Sequence, residues 1–394
     1  MLTREENELL TRIGRGTPCG ELLRRYWHPV AAVGELTEQT PIRPVKILDE
    51  ELVVFCDKQG KYGLVGEHCP HRLASLAYGR VDDEGIRCPY HGWKFDRAGN
   101  CLEQPAEPAG STFKDRIKHV AYPVEPLGGL IFAYLGPEPR PLLPRWDVLV
   151  WENGRRWILK DSIIDCNWLQ PMENSVDPAH LFWLHGDTAH LGPRVKKYAE
   201  QHEFIPFEFG INKRRTSLPV GAGEAPMVDE HPLLFPTTLR HVASTDDGKG
   251  HRHNLQIRVP VDDTHTQVFR VSFVPSDVER SPAEVQVPFR YSQLKNGPRE
   301  YNMRMVSAQD SMAWETQGAV TDRTQERLGV GDEGIILFRK MLKEQIENVQ
   351  RGFEPIGMVR DPEKNQIIEL HVINERIGLY RPQSIEQGRR AIAS

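Results

Sequence analysis

The chain has 394 residues, enough for two domains, and its 39% hydrophobic and 27% charged residues are ordinary for a globular protein. A formal net charge of −5 gives no reason to expect a nucleic-acid partner. The most apolar run, residues 127–135, is much shorter than the roughly 20 residues that a membrane-spanning helix needs. The N-terminus is polar and acidic, unlike a signal peptide, and cysteines are few, so we expect a reducing, cytoplasmic location without a membrane partner.

In the first part of the chain, the sequence predicts a helical segment followed by a small β domain. Residues 3–26 are typical of a helix with a Gly/Pro break at 14–18. Short β-rich runs follow at residues 45–48, 52–55 and 130–134, separated by turn residues. A proline-rich stretch at 136–145 then predicts a domain edge. We therefore expect an N-terminal helical segment (1–26), an all-β domain (27–140) and a second domain (141–394).

The second domain is predicted to be mixed, which makes the whole chain α+β. A helix is expected at 176–184, and a hairpin at 255–275 that turns at Asp262 and Asp263. Apolar residues from 335 to 349 form one helical stripe, and Asp332 is placed to cap the start of that helix.

Two short Cys/His motifs lie inside the predicted β domain. Cys69-Pro-His71 is followed, after sixteen residues, by Cys88-Pro-Tyr-His91-Gly92. Each motif supplies one cysteine and one histidine from a tight loop stiffened by proline. Such a set could be a Cys2His2 zinc site, although zinc loops usually pair like residues. The mixed loops favour a [2Fe-2S] cluster with two cysteines on one iron and two histidines on the other.

These two loops resemble those of Rieske proteins. The resemblance implies that Cys69 and Cys88 bind one iron, and that His71 and His91 bind the other. Respiratory-chain Rieske proteins carry an additional cysteine in each loop, joined as a disulfide. Ala74 and Tyr90 occupy those places here, so the resemblance is to the oxygenase and ferredoxin branch.

A second group of candidate ligands follows at Asp177, His180 and His185. Two imidazoles and a carboxylate on one face form the facial triad that binds Fe(II) and leaves positions open for O2 and substrate. The histidines are five residues apart, about 140° around an ideal helix, so the helix has to distort or end near Gly186. The segment resembles the catalytic-iron motif of Rieske oxygenases.

That resemblance also assigns a role to Asp177 and a third ligand. In the family, the acid at the position of Asp177 hydrogen-bonds the iron-bound histidine, here His180, and a cluster histidine, here His91, of the neighbouring subunit. The simpler interpretation is a helix cap. The third ligand comes from a later helix, which residues 307–315 resemble, so Asp310 is our choice. The other acids considered are Glu315, Asp322 and Glu326.

Residues 329–334 match the G-x-G-x-x-G dinucleotide pattern. The preceding segment is polar and helix-like, whereas that fingerprint needs a preceding strand, so we interpret the match as a turn between helices. Without a nicotinamide site, electrons have to arrive from a separate protein.

The resemblance extends over nearly the whole chain, because residues 10–29 and 314–329 resemble the phthalate-dioxygenase-like branch. That branch includes aryl-ether O-demethylases of the dehydrodivanillate type. It implies a homotrimeric oxygenase component with one [2Fe-2S] cluster and one mononuclear Fe(II) per subunit. Electrons from NADH would arrive through a reductase or ferredoxin. We expect O2-dependent O-demethylation of a methoxylated aromatic acid with release of formaldehyde. The alternatives are ring hydroxylation of an aromatic carboxylate such as a phthalate, and a Rieske electron carrier without catalytic activity.

Overall fold

The computed structural model describes residues 1–186, 200–219, 223–282 and 286–380. An N-terminal β domain is followed by a mixed domain of helices and one large sheet, which confirms the predicted α+β class. No helix in these ranges combines the length and apolarity that crossing a membrane requires.

The chain begins with two short helices, α1 (Arg4–Thr11) and α2 (Pro18–Leu23), which confirms the predicted break. The Thr3 side chain accepts the backbone N–H of Glu6, and the Glu6 carboxylate accepts that of Thr3, so the two cap α1 reciprocally. This helical segment packs on the C-terminal part of the chain. For example, the Tyr26 hydroxyl donates to the Ile356 carbonyl at 2.9 Å.

The β domain consists of three small antiparallel sheets. Their orders are β1-β11-β10, β2-β3-β4-β9 and β5-β6-β7-β8. The strands are β1 (Trp27–Ala32), β2 (Ile42–Ile47), β3 (Glu50–Cys56), β4 (Tyr62–Gly66), β5 (Arg80–Val81), β6 (Ile86–Arg87), β7 (Lys94–Phe95), β8 (Cys101–Glu103), β9 (Ala121–Tyr122), β10 (Val124–Leu127) and β11 (Leu130–Tyr134).

A separate apolar core holds the second and third of these sheets together. Aliphatic and aromatic side chains and three cysteines form it. Its buried members are Val53, Phe55, Val65, Cys69, Leu76, Ile86, Cys88, Trp93, Phe95 and Cys101. The cysteines of both motifs are therefore part of the core of this domain.

The second domain is built on a nine-stranded sheet with the order β13-β14-β15-β16-β17-β18-β12-β19, to which β22 adds beside β15. Its elements are α3 (Asp147–Val150), β12 (Asn153–Asp161), α4 (Leu169–Val176), α5 (Ala179–Trp183), β13 (Glu200–Phe207), β14 (Gly210–Ser217), β15 (Met227–Leu234), β16 (Thr238–Ser244), β17 (His251–Asp262), β18 (His265–Arg280), β19 (Phe289–Ser292), β20 (Lys295–Gly297), β21 (Glu300–Tyr301), α6 (Val306–Glu315), α7 (Glu333–Gln350) and β22 (Ile373–Asn374).

The predicted hairpin is the pair β17 and β18, and alternation along it separates two faces. Leu255, Ile257 and Val259 point to the main apolar core. Arg258 lies on the opposite face, because it pairs with Val268, which packs with α6.

The helix predicted at 176–184 is confirmed only in its second part, as α5 (Ala179–Trp183). Asp177 is extended (φ −91°, ψ 108°) and separates α4 from α5. The cause is Pro178, whose ring disfavours helical backbone in the residue before it.

The helix predicted at 335–349 is confirmed as α7, but the predicted cap is not. The Asp332 carboxylate accepts the backbone N–H of Gly329 at 2.7 Å and makes no cap hydrogen bond to α7.

Candidate metal centres

Each Cys/His motif forms a tight loop. In the first, after β4, the Cys69 N–H donates to the Ala74 carbonyl at 3.0 Å and the Leu73 N–H returns to the Cys69 carbonyl at 2.8 Å. In the second, between β6 and β7, the Cys88 N–H donates to the Trp93 carbonyl at 2.8 Å. Gly92 has φ +74°, a conformation that residues with a Cβ rarely adopt.

A buried arginine fixes the second loop. Arg87 donates to the Gly92 carbonyl at 2.8 Å, and its other nitrogens bind the carboxylates of Asp82 at 2.7 Å and Glu103 at 2.7 Å. The two carboxylates hold the guanidinium in place, so the loop is anchored to the strands on either side of it.

The two loops bury their cysteine sulfur atoms and leave their histidine rings closer to solvent. Cys69 and Cys88 are 1% and 4% exposed, whereas His71 is exposed and His91 half-buried. The two imidazole rings are 4.5 Å apart between centroids, and Trp93 stacks on His71 at 4.4 Å. Separate pairs of sulfur and nitrogen ligands suit a two-iron cluster with one ligand pair per iron. The exposed imidazoles would be its contact with a redox partner.

Burial raises the pKa of the Cys69 thiol, and the neighbouring Cys88 raises it further. A thiol in such surroundings stays protonated at neutral pH unless a bound cation stabilises the thiolate. The cysteine pair therefore suits metal binding better than reactivity as free thiols.

The second group of ligands meets between α5 and α6. The ligand atoms of His180, His185 and Asp310 all lie within 4.8 Å of one another. Asp310 Oδ1 is 3.0 Å from His185 Nε2 and 3.9 Å from His180 Nε2. The two histidines can meet although they are five residues apart, because α5 ends at Trp183 and His185 therefore lies beyond the helix. Two imidazoles and one carboxylate in this arrangement suit Fe(II).

Hydrogen bonds orient both histidines. His180 Nδ1 lies 2.5 Å from the Asp177 carbonyl, and His185 Nδ1 lies 2.6 Å from Gln309 Oε1. The Gln309 amide nitrogen donates to the Met303 carbonyl at 2.8 Å, which fixes its oxygen toward His185. Because each Nδ1 faces an oxygen acceptor, the proton is favoured there, which would leave both Nε2 atoms available to bind a metal.

The other acids considered as third ligand have different partners. Glu315 binds Lys295 and the Tyr301 hydroxyl. Glu326 pairs with Arg339, and Asp322 accepts from Thr324. Among the four candidates, the structure brings Asp310 to the histidines.

The Asp177 carboxylate caps the start of α5, as the simpler interpretation of this residue predicts. Its Oδ1 accepts the Ala179 N–H at 2.8 Å, and its Oδ2 is 3.7 Å from His180 Nδ1. Burial raises the pKa of Asp177, but His180 and the nearby Lys213 outweigh that effect and lower it overall. Within the described chain no hydrogen bond joins Asp177 to His91, so the bridge between subunits stays a prediction.

The G-x-G-x-x-G match is a single 3-10 turn, Val330–Asp332, which leads directly into α7. No strand lies between α6 and α7, a stretch that the structure describes completely. The nucleotide interpretation therefore lacks its structural context.

Sequence reasoning missed Gln309. Its position directly before Asp310 on α6 was the available signal, but only the fold shows that its amide meets His185. It also missed Arg258, a buried arginine on the sheet face opposite the main apolar core.

Comparisons with known proteins agree with this geometry. Residues 26–120 match the Rieske [2Fe-2S] domain, and residues 290–381 match the family described as LigXa C-terminal domain like. The chain is 39% identical over 388 residues to the 5,5'-dehydrodivanillate O-demethylase oxygenase subunit of Sphingobium sp. (strain NBRC 103272 / SYK-6), covering 95% of this chain and 87% of that one. It is 32% identical over 409 residues to the phthalate 4,5-dioxygenase oxygenase subunit of Pseudomonas putida, covering 91% and 89%.

Solved structures show the same fold. Pseudomonas putida CBB5 NdmA with caffeine superposes with a TM-score of 0.66 at 22% identity, covering 85% of this chain and 94% of that one. Dicamba monooxygenase bound to dicamba gives a TM-score of 0.64 at 17% identity, covering 84% and 99%.

Proposed function

Since this chain belongs to the Rieske non-haem iron oxygenases and is an oxygenase subunit, we propose that it demethylates a methoxylated aromatic acid. Such subunits carry a [2Fe-2S] cluster and a mononuclear iron, and they receive electrons from NADH through a separate reductase or ferredoxin. The choice of O-demethylation rests on the 39% identity to an O-demethylase subunit across 95% of the chain.

The proposed ligands are the residues that the two sites bring together. Cys69 and Cys88 would hold one iron of the cluster, and His71 and His91 the other. His180, His185 and Asp310 would hold the single iron. An iron held there would supply the activation of O2, and the cluster would supply the electrons. The protein's own contribution is orientation: the Asp177 carbonyl and the Gln309 amide keep both Nε2 atoms directed at the metal position.

The overall reaction balances without any further reactant. Hydroxylation of the methoxy carbon inserts one oxygen atom of O2 into a C–H bond, while the other oxygen leaves as water with two electrons from NADH and two protons. The resulting hemiacetal then breaks its C–O bond, giving a phenol and formaldehyde. Ring hydroxylation is the second candidate, because the phthalate 4,5-dioxygenase subunit is 32% identical.

A homotrimer, with Asp177 contacting His91 of a neighbouring subunit, is part of the proposal. Apolar side chains are exposed around the cluster loops, with Leu73 at 70% and Tyr90 at 56%. Others are exposed near the second site, with Trp183 at 61% and Met303 at 46%. Two different apolar patches on one chain suit a head-to-tail contact, and such contacts close into rings.

The domain limits 27–140 and 141–394 also remain our proposal, with residues 1–26 packed on the second domain. A cytoplasmic location is proposed as well. All six cysteines are free, and thiols stay reduced there for cluster assembly.

Product analysis tests the proposed reaction. The purified oxygenase would be combined with a reductase, NADH and O2, and offered 4-hydroxy-3-methoxybenzoate, dehydrodivanillate and phthalate. We expect one formaldehyde per molecule of phenol formed from a methoxylated acid. Dihydroxylated ring products without formaldehyde would instead establish ring hydroxylation, and NADH oxidation without any organic product would support the electron carrier.

A further inference from the structure

A buried arginine beside the second metal site has no counter-ion among the residues that the structure describes. Arg258 on β17 is 2% exposed. It donates to the Gln256 carbonyl at 3.0 Å and to Gln256 Oε1 at 2.7 Å, and its buried Nε has no partner. Among the described residues no carboxylate lies within 4.0 Å of its guanidinium. Gln256 is neutral, so the charge of Arg258 is uncompensated.

Two other arginines buried as deeply are paired with carboxylates, whereas Arg156 donates to three backbone carbonyls. Arg240 donates through two nitrogens to Asp147, at 3.1 and 3.0 Å. Arg323 does the same to Glu173, at 2.9 and 2.7 Å. An unpaired charge in a protein interior is costly, so a cation such as Arg258 is expected to meet an anion that the described part of the chain does not supply.

Arg258 lies on the face of the sheet opposite the main apolar core. Its cross-strand partner Val268 packs with Ala308 and Trp314 of α6, the helix that carries Asp310. Burial lowers the pKa of Arg258 to about 10, and attraction to Asp310 opposes that shift. The guanidinium therefore remains a cation at neutral pH and is close enough to the Asp310 carboxylate to be influenced by it.

Nearby charges on this face do not neutralise Arg258. Arg270 is bound to Asp161, and Arg215 is bound to Asp229. The other buried cation, Lys213, donates to the Ser175 carbonyl at 3.0 Å. It belongs to β14, where burial and the charge of Arg215 lower its pKa, and the charge of Arg258 adds to that effect. Among the described residues, Arg258 is thus a buried cation without a carboxylate partner, and the Asp310 carboxylate influences its charge.

We propose that Arg258 binds the carboxylate of the substrate and so selects anionic over neutral aromatics. Two of its five N–H groups are held by Gln256, which leaves three, including Nε–H, for a carboxylate. A guanidinium fork binds a carboxylate through two parallel hydrogen bonds. The bound carboxylate fixes the aromatic ring between Arg258 and the His180–His185–Asp310 site. This inference rests on the proposed function and names its substrate class.

Binding to the intact holoenzyme, measured by calorimetry, tests the proposal. The probes are 4-hydroxy-3-methoxybenzoate and dehydrodivanillate, each compared with its methyl ester. The variants are Arg258→Met, Arg258→Lys and Arg258→Gln. The matched control is Arg252→Met, which changes an arginine on the same strand that pairs with exposed Asp246.

We expect wild type to bind at least one acid more tightly than its ester. Arg258→Met and Arg258→Gln should weaken acid binding roughly tenfold to a hundredfold and ester binding less than about threefold. Arg258→Lys should fall between them and wild type, because it keeps the charge without the fork. If Arg258→Met and Arg258→Gln do not fold, the comparison of acid and ester binding by Arg258→Lys tests the proposal. Arg252→Met should bind like wild type.

Equal weakening of acid and ester, or no weakening of acid binding, would overturn the proposal. So would a wild-type enzyme that binds neither acid. The result is separable from the proposed reaction, because selective loss of acid binding without formaldehyde formation supports the carboxylate site and rejects demethylation. Formaldehyde formation by the wild type, together with Arg258 variants that lose acid and ester binding equally, would support demethylation and reject the carboxylate site.

Discussion

At the scale of single residues, the second site depends on side chains that do not touch the metal position. The Gln309 amide is held by the Met303 carbonyl and in turn holds His185 Nδ1. Such partners fix the tautomer and the ring orientation of a metal-binding histidine. Part of the metal affinity therefore lies in a residue with no ligand atom of its own.

Gln309→Leu should weaken iron binding at this site by roughly tenfold to a hundredfold, because His185 loses its hydrogen-bond acceptor. Iron analysis after dialysis against a chelator should show loss of the single iron, while the visible spectrum of the cluster stays unchanged. Gln317→Leu, just beyond the same helix and exposed, is the control. Equal iron retention in both variants would contradict the orienting role.

Asp177→Asn should keep both metals yet nearly abolish turnover. An asparagine oxygen still accepts the Ala179 N–H, so the cap on α5 persists, whereas the carboxylate charge that we propose links two metal-bound imidazoles is lost. Iron content and the rate of formaldehyde formation measure the two effects. Turnover equal to wild type would refute the bridging role.

At the scale of elements, sequence patterns predicted the candidate ligand residues but not the helix boundaries and side chains that position them. The Cys/His loops and the two histidines are local motifs with fixed spacing, so they could be found by inspection. The helix predicted at 176–184 begins too early, because the prediction left out the effect of Pro178 on the backbone of Asp177. Gln309 and Arg258 depend on strand and helix packing between distant parts of the chain, which no local pattern records.

The second cluster loop depends on one left-handed residue. Gly92→Ala would strain the backbone by about 1–2 kcal/mol, and its Cβ would lie 3.1 Å from the Pro105 side chain. We expect reduced cluster incorporation, measured as visible absorption per chain. Gly60→Ala is the matched control, since φ is +75° there and its Cβ would meet nothing within 4 Å. A similar loss of absorption in both variants would show that general destabilisation is the cause.

At the scale of the whole molecule, we propose that electrons pass from the cluster of one subunit to the single-iron site of a neighbouring subunit, and not between the two sites of one chain. Asp177 has no hydrogen bond to His91 within the described chain, which suits a contact made between subunits. Three copies in a closed ring would give every subunit one such contact.

Mixing two inactive variants tests this arrangement. His91→Ala should disable the cluster, and His180→Ala should disable the single-iron site. Subunits expressed together should recover part of the activity, because an intact cluster of one subunit then faces an intact iron site of the next. Native mass spectrometry should show three chains. Trimers of mixed composition without activity would contradict transfer between subunits.

Iron, zinc and acid-labile sulfide content per chain tests the central claim most directly. The account predicts about three irons and two sulfides, with Asp310→Ala losing one iron and no sulfide. Zinc in place of iron, or purified protein without visible absorption, would contradict it.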